Sequence, residues 1–222
     1  FHHLKINMAK EMAIHASSHK DHVDSDELDC AQMDVSLQII FSCKQEELRR
    51  TLAEIDPAMF RTVVERVGKA RLVFCAAMGN TIPVAMDAGY KLNELGLAAI
   101  SAPVWEHMLA MMHAARPEDV MLVFSSSGET KDLMRIVAAA REQGVLIVLV
   151  TNQVHSSLAR MSHYVLYAAS RERILFRNFS FSSTRLSMTA VVEALYYMLL
   201  SAKQDSSSFV DVHEQRLSEQ KM

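Results

Sequence analysis

No apolar run in this 222-residue chain approaches the roughly 18 residues a membrane-crossing helix needs, and no basic-then-apolar leader opens it. Neither a membrane span nor a secretory signal is indicated. An excess of one charge is lacking as well. Lys and Arg total 23 against 26 Asp and Glu, a formal net charge of -3, so there is no general attraction for nucleic acid or an anionic membrane. Any DNA contact would need a local patch or a further segment, and no patch is evident. Cysteine is scarce: Cys30, Cys43 and Cys75 are odd in number, follow no metal spacing, and Cys75 sits inside an apolar run. They read as reduced thiols of a cytoplasmic protein rather than a disulfide framework. His15, His19 and His22 could be paired by a helix, but no third aligned ligand completes a metal set. No metal and no cofactor are expected. What the chain has in quantity is apolar residues, 50% of the total, enough to exclude disorder throughout and to build one α/β domain with extensions.

The most informative stretch is Asp119 to Lys131, DVMLVFSSSGETK. Val120 to Phe124 is wholly apolar, which suits a central strand of a parallel sheet covered on both faces. Beyond Thr130, apolar residues recur at Leu133, Ile136, Val137 and Ala140, one face of a helix that stops before Gly144. A serine- and glycine-containing turn thus joins strand to helix. The first amides of a helix have no intrahelical partner and carry the positive end of its dipole, so such a turn is a ready anion site. Ser125, Ser126, Ser127 and Thr130 would add hydroxyl donors, and Gly128 would let a phosphate approach the backbone. The competing reading is that Ser127 caps the helix and the other hydroxyls are solvated.

The same organisation recurs along the chain. Leu72 to Ala77 reads as a first strand, followed by Met78-Gly79-Asn80-Thr81 and a helix from Pro83 to Leu95, closed by Gly96. Leu97 to Ser101 is a weaker second strand, Trp105 to Ala115 a helix, Val145 to Val150 a fourth strand ending at Thr151-Asn152, and Tyr164 to Ala168 a fifth. A long apolar helix spans Leu186 to Leu200. Ahead of the sheet, Ala31 to Phe41 reads as one helix. A second starts at a Ser42/Gln45 capping box, and a third starts at Asp56-Pro57 and runs to Gly68. Five apolar strands alternating with helices predict a doubly wound five-stranded parallel sheet with additional N-terminal helices. Ligands of such sheets bind outside the carboxyl ends of the strands at the switch point. In the flavodoxin-like order 2-1-3-4-5 that point brings Gly79, Asn80 and Thr81 to the Ser125 to Thr130 loop.

The S-x-S-G-E-T sequence after an apolar strand resembles the phosphate loop of SIS (sugar isomerase) domains, and the similarity extends from about Ser42 to Ser201. The family's usual G-x-G-[STN]-S turn is matched by Ala77-Met78-Gly79-Asn80-Thr81, with alanine for the first glycine. The resemblance implies a sugar-phosphate ligand with its phosphate on Ser125, Ser127, Gly128 and Thr130. It also implies that Asn80 and Thr81 read the sugar, with His107 after the second strand and Glu172 after the fifth as further candidates. Asn80 and Thr81 could equally cap the helix, His107 could be a solvated helix residue, and Glu172, between Arg171 and Arg173, a surface ion pair. Phe1, Leu4, Lys5, Ala9 and Glu11 are similar to the segment G-F-x-x-[FL]-K-x-x-L-A-x-E that ends the helix-turn-helix domain of RpiR-type regulators. Ser17 to Asp29 then reads as a polar hinge.

The resulting expectation is a phosphosugar-binding effector domain of an RpiR-type transcription regulator. Residues 1–41 would be the end of a helix-turn-helix domain plus a linker, 42–203 the SIS domain and 204–222 a polar tail. DNA would be met only through helices preceding residue 1. The partners are a sugar phosphate and a second copy in a homodimer or dimer of dimers, with no membrane. No catalytic residue is expected on this reading. The alternative is an aldose–ketose phosphosugar isomerase with Glu172 or Glu129 as base.

Overall fold

The sheet order in the computed structural model, which describes residues 28–170 and 185–202, is β2-β1-β3-β4-β5, with every neighbouring pair parallel. The strands are β1 Val73–Ala77, β2 Ala99–Ser101, β3 Val120–Phe124, β4 Leu146–Thr151 and β5 Tyr164–Tyr167. This is the predicted doubly wound order. The helices are α1 Met33–Ala53, α2 Pro57–Gly68, α3 Ile82–Glu94, α4 Trp105–Met111, α5 Lys131–Glu142, α6 Ser157–Met161 and α7 Leu186–Ala202.

Burial explains the continuous apolar runs. Every residue of β1, β3 and β4 is buried, because helices cover both faces and alternate side chains belong to different cores. Val73, Cys75, Leu122 and Val148 pack toward Val63, Val67, Leu92, Val191 and Leu195 of α2, α3 and α7. Phe74, Met121, Ile147 and Leu149 pack toward Met108, Leu133, Ile136 and Leu158 of α4, α5 and α6. Burial pushes the Cys75 thiol up to about 12, so it is inert packing, as its place in an apolar run implied.

The edge strand β2 is protected. Asn93 on α3 donates from Nδ2 to the Ala99 carbonyl at 3.1 Å and accepts the Ala99 N–H at 3.0 Å, occupying the groups an added strand would use.

The N-terminal helices need one correction. The sequence reading places a helix over 31–41 and a new start at Ser42/Gln45, but a single helix runs from Met33 to Ala53 and the capping-box pair lies in its interior. Between residues 33 and 53 there is no glycine or proline to break it. The helix begins after a 3-10 turn, Cys30–Gln32, whose cap is Asp29. The next start is as read: Asp56 Oδ1 accepts the Met59 N–H at 2.6 Å and Pro57 occupies the first turn. At the far end of α1, buried Thr51 Oγ1 accepts the Ala169 N–H at 2.9 Å, tying the helix to the chain just beyond β5. Glu47, one turn earlier, is fully buried and accepts from Lys44 Nζ at 2.9 Å.

At the opposite end of the sheet, His163 Nδ1 accepts the Ile147 N–H at 2.9 Å. Burial, then the neighbouring Arg141 and Arg66 guanidinium groups, hold its pKa below the usual histidine value. The native state therefore keeps this imidazole neutral, whereas the unfolded chain protonates it near pH 6.5. Its stabilising contribution is complete above that pH and is lost as the pH falls through and below it. Melting temperature should drop between pH 7.5 and pH 5, and less so in His163→Asn, whose side-chain oxygen can still accept the Ile147 N–H. Identical pH dependence in the two proteins would refute the assignment.

Candidate functional site

Two polar turns emerge side by side from β1 and β3, whose registers pair Ala77 with Phe124 at their carboxyl ends. After β1, Met78 stays extended, Gly79 turns with φ +62° and a 3-10 turn, Gly79–Thr81, leads into α3. A Cβ built on Gly79 would meet nothing within 4 Å, so open space lies over this backbone. Asn80 is exposed. Thr81 is buried, and its Oγ1 lies 3.0 Å from both the Met78 and the Phe124 carbonyl oxygens, to which it donates. It makes no helix-cap bond. Its hydroxyl proton fastens the β1 turn to the end of β3, so the expected sugar-reading role of Thr81 is reduced to what its oxygen can still accept.

The loop after β3 folds on its own hydroxyls. Ser125 continues the ladder, with its N–H donating to the Val150 carbonyl at 3.1 Å. Its buried Oγ accepts the Gly128 N–H at 3.1 Å. Exposed Ser127 accepts the Glu129 N–H at 3.3 Å. The helix α5 starts at Lys131 with Thr130 as N-cap residue and no side-chain cap bond. Ser127 is therefore not a helix cap, and the first-turn amides keep no side-chain acceptor from the cap residue.

Gly128 differs from the expectation. Its φ is +65°, but the space a Cβ would take is filled by Ser156, 2.0 Å away at Oγ and 2.4 Å at Cβ. The glycine is needed so that the β4–α6 connection can press against the loop, and the open glycine backbone is Gly79. Three further bonds fasten that connection. Leu158 N–H donates to the Gly128 carbonyl at 3.0 Å, Ser157 N–H to Glu129 Oε1 at 2.8 Å, and Thr151 Oγ1 to the Ser126 carbonyl at 3.4 Å. The bond from Ser157 holds the Glu129 carboxyl below its usual pKa. A carboxylate so stabilised is a weaker proton acceptor, which counts against Glu129 as an isomerase base.

Thr151, Asn152 and Ser156 are site-forming residues to which sequence reasoning gave no role. The signal was present, since Thr151-Asn152 is a third polar turn following an apolar strand. The Oγ of Ser126 and Oδ1 of Asn152 are buried without hydrogen-bond partners, two polar atoms that a bound molecule or water could satisfy. His107 is exposed on α4, which follows β2. Glu172, Arg171 and Arg173 lie outside the described residues, as do His15, His19 and His22. Among the described residues there is no group of three or more metal-ligating side chains and no helix long and apolar enough to cross a membrane.

Solved structures share this architecture, among them the two that follow. The Vibrio vulnificus NanR protein, complexed with ManNAc-6P, is similar at a TM-score of 0.77 and 23% identity, over 85% of this chain and 71% of that one. The sugar isomerase domain of an RpiR transcription factor from Sphaerobacter thermophilus is similar at a TM-score of 0.73 and 26% identity, over 83% of this chain and 99% of that one. The SIS domain profile matches residues 68–198, from the last residue of α2 to within α7. The five-stranded sheet, the paired turns at its switch point and this match make the chain a member of the SIS domain family.

Proposed function

We propose that this chain is the phosphosugar-sensing domain of an RpiR-type transcription regulator. The observation that carries the reading is the junction of two turns through the Thr81 Oγ1 to Phe124 carbonyl bond. It sets the open Gly79 backbone beside a loop with unspent hydroxyls and a helix N-terminus. A doubly charged phosphate would bind Ser127, Thr130 and the first amides of α5, with Ser125 and Gly128 holding the loop in shape. Asn80, and the accepting oxygen of Thr81, would face the sugar, with Ser126, His107 and Glu172 as further contacts. The bound ManNAc-6P of the Vibrio protein supports the ligand class, and the RpiR neighbour supports the regulatory role. The sensor in this reading runs from the start of α1 at Met33, since that helix continues unbroken through Ser42, to residue 203, with 204–222 a tail. The stretch before α1 would connect to a DNA-reading helix-turn-helix domain, in a homodimer working in the cytoplasm.

Isothermal titration against a panel of hexose, pentose and N-acetylated sugar phosphates tests the proposal. At least one should bind with micromolar affinity and compete with inorganic phosphate, while the dephosphorylated sugar should not bind. Absence of binding across the panel would overturn it. The isomerase reading requires a base, and with Glu129 tied to Ser157 it rests on Glu172; ligand turnover followed by NMR, abolished in Glu172→Gln, would favour it instead.

A further inference from the structure

Three basic side chains from separate elements meet at the amino end of the sheet, the end opposite the two polar turns. The segment that gathers them is Met161 to Tyr164. Met161 packs in the core of α4, α5 and α6, and Tyr164 in the core of α2, α3 and α7, so the chain crosses between the two layers at Ser162-His163. Arg141, in the last turn of α5, approaches the crossing from one side, and Arg66, in the last turn of α2, from the other. Two bonds orient the donors. Arg141 donates from Nη1 to the Met161 carbonyl, which holds its guanidinium at the crossing rather than on its own helix end. His163 spends Nδ1 on accepting the Ile147 N–H, so the neutral ring carries its proton on Nε2. That N–H and the Arg66 guanidinium have no hydrogen-bond or ion-pair partner among the described residues.

We propose that Arg66, Arg141 and His163 form a second anion site, on the amino rim of the sheet, which takes a phosphate-type oxyanion. All three residues are exposed. After burial, the influences on the imidazole are the two guanidinium groups, and both hold its pKa down. Carboxylates of the same rim do not offset them. Buried Asp119 is paired with Arg71 at 2.7 Å, and Glu65, Glu118 and Glu142 are exposed and are not among the charges acting on His163. Like charges gathered in this way draw an anion between them. Guanidinium N–H pairs match the oxygens of a tetrahedral anion, and the imidazole adds one donor of fixed direction. The site differs from the phosphosugar loop in having neither a glycine turn nor a helix N-terminus. Its openness suits a phosphate that is free or strung along a nucleic-acid backbone, since both present the same oxygens. The sequence hides it, because its members lie on α2, on α5 and before β5.

The site stands whether or not a sugar phosphate binds at the other end of the sheet. NMR of the imidazole signals in the whole chain tests it, the His163 signal being the one that His163→Asn lacks. A bound anion stabilises the protonated ring. Inorganic phosphate, and sulfate, whose charge is constant over the titration, should therefore raise the His163 pKa. The rise should exceed the one sodium chloride of equal ionic strength gives by screening the arginines. In Arg66→Gln/Arg141→Gln the anion concentration at half effect should increase roughly tenfold, as expected for two exposed charge contacts. Folding should survive, since glutamine at 141 keeps an N–H for the Met161 carbonyl. Ser127→Ala should leave the response in place, which separates it from phosphate held at the sugar loop. A short DNA duplex that moves the same signal at fewer phosphate equivalents identifies a nucleic-acid backbone as the source, and movement by the inorganic anions alone identifies a free one. No movement beyond the chloride control, an undiminished response in the arginine variant, or a response lost with Ser127→Ala would each overturn the site.

Discussion

Gly128→Ala should lower the melting temperature by about 10 °C and abolish phosphosugar binding. Two costs combine. An alanine at φ +65° pays about 1–2 kcal/mol for the left-handed backbone, and its Cβ would have to share the space of the Ser156 side chain, 2.0–2.4 Å away. Overpacking of that kind costs about 1–3 kcal/mol, and for a domain of this size each kcal/mol is worth roughly 2–4 °C. The loop that must yield also carries the Gly128 N–H to Ser125 bond and the Leu158 N–H to Gly128 carbonyl bond, so the binding surface shifts with it. Ser156→Gly in the same chain should return the packing part and leave the backbone part, since glycine at this N-cap loses only a few tenths of a kcal/mol. A single mutant melting within about 2 °C of wild type would show that the β4–α6 connection does not press on this glycine.

The second large effect separates two serines that the sequence presents as equivalents. Ser127→Ala removes an exposed hydroxyl that the proposed phosphate site uses, and a hydrogen bond to a charged group is worth about 1.5–3 kcal/mol, so on that proposal affinity should fall roughly 10- to 100-fold with the melting temperature unchanged. Ser125→Ala should lower both affinity and melting temperature, because its buried Oγ is the acceptor for the Gly128 N–H. Together the two should cost several kcal/mol of binding, on the order of a thousandfold in affinity. Undiminished affinity in the double variant, measured calorimetrically, would end the phosphate assignment.

The sheet was legible because its central strands carry unbroken apolar runs, and runs such as Val120 to Phe124 arise where helices cover both faces. The flavodoxin-like strand order came with the doubly wound reading, it placed the two polar turns at one crevice, and it is the order observed. Helix starts were legible where chemistry forces them, as at Asp56-Pro57, and illegible at Ser42. There a capping pattern occurs inside a helix that nothing interrupts. In the site, composition located the loop but not its internal bonding. That Thr81 is a fastener between strands and that Gly128 makes room for Ser156 are facts about partners 43 and 28 residues apart. No spacing rule within one turn reports them. The part played by Ser156 was missed for the same reason, whereas Thr151 was signalled by a third polar turn after an apolar strand.

The bond between Thr51 and Ala169 gives α1 a mechanical meaning. From that anchorage to Met33 the helix extends for about 27 Å at 1.5 Å per residue, so it is a stiff rod pinned where the chain leaves the fifth strand. A tilt of about 5° about the pin would carry the outer end through ~2 Å, so small rearrangements at the sheet's carboxyl rim are magnified at its tip.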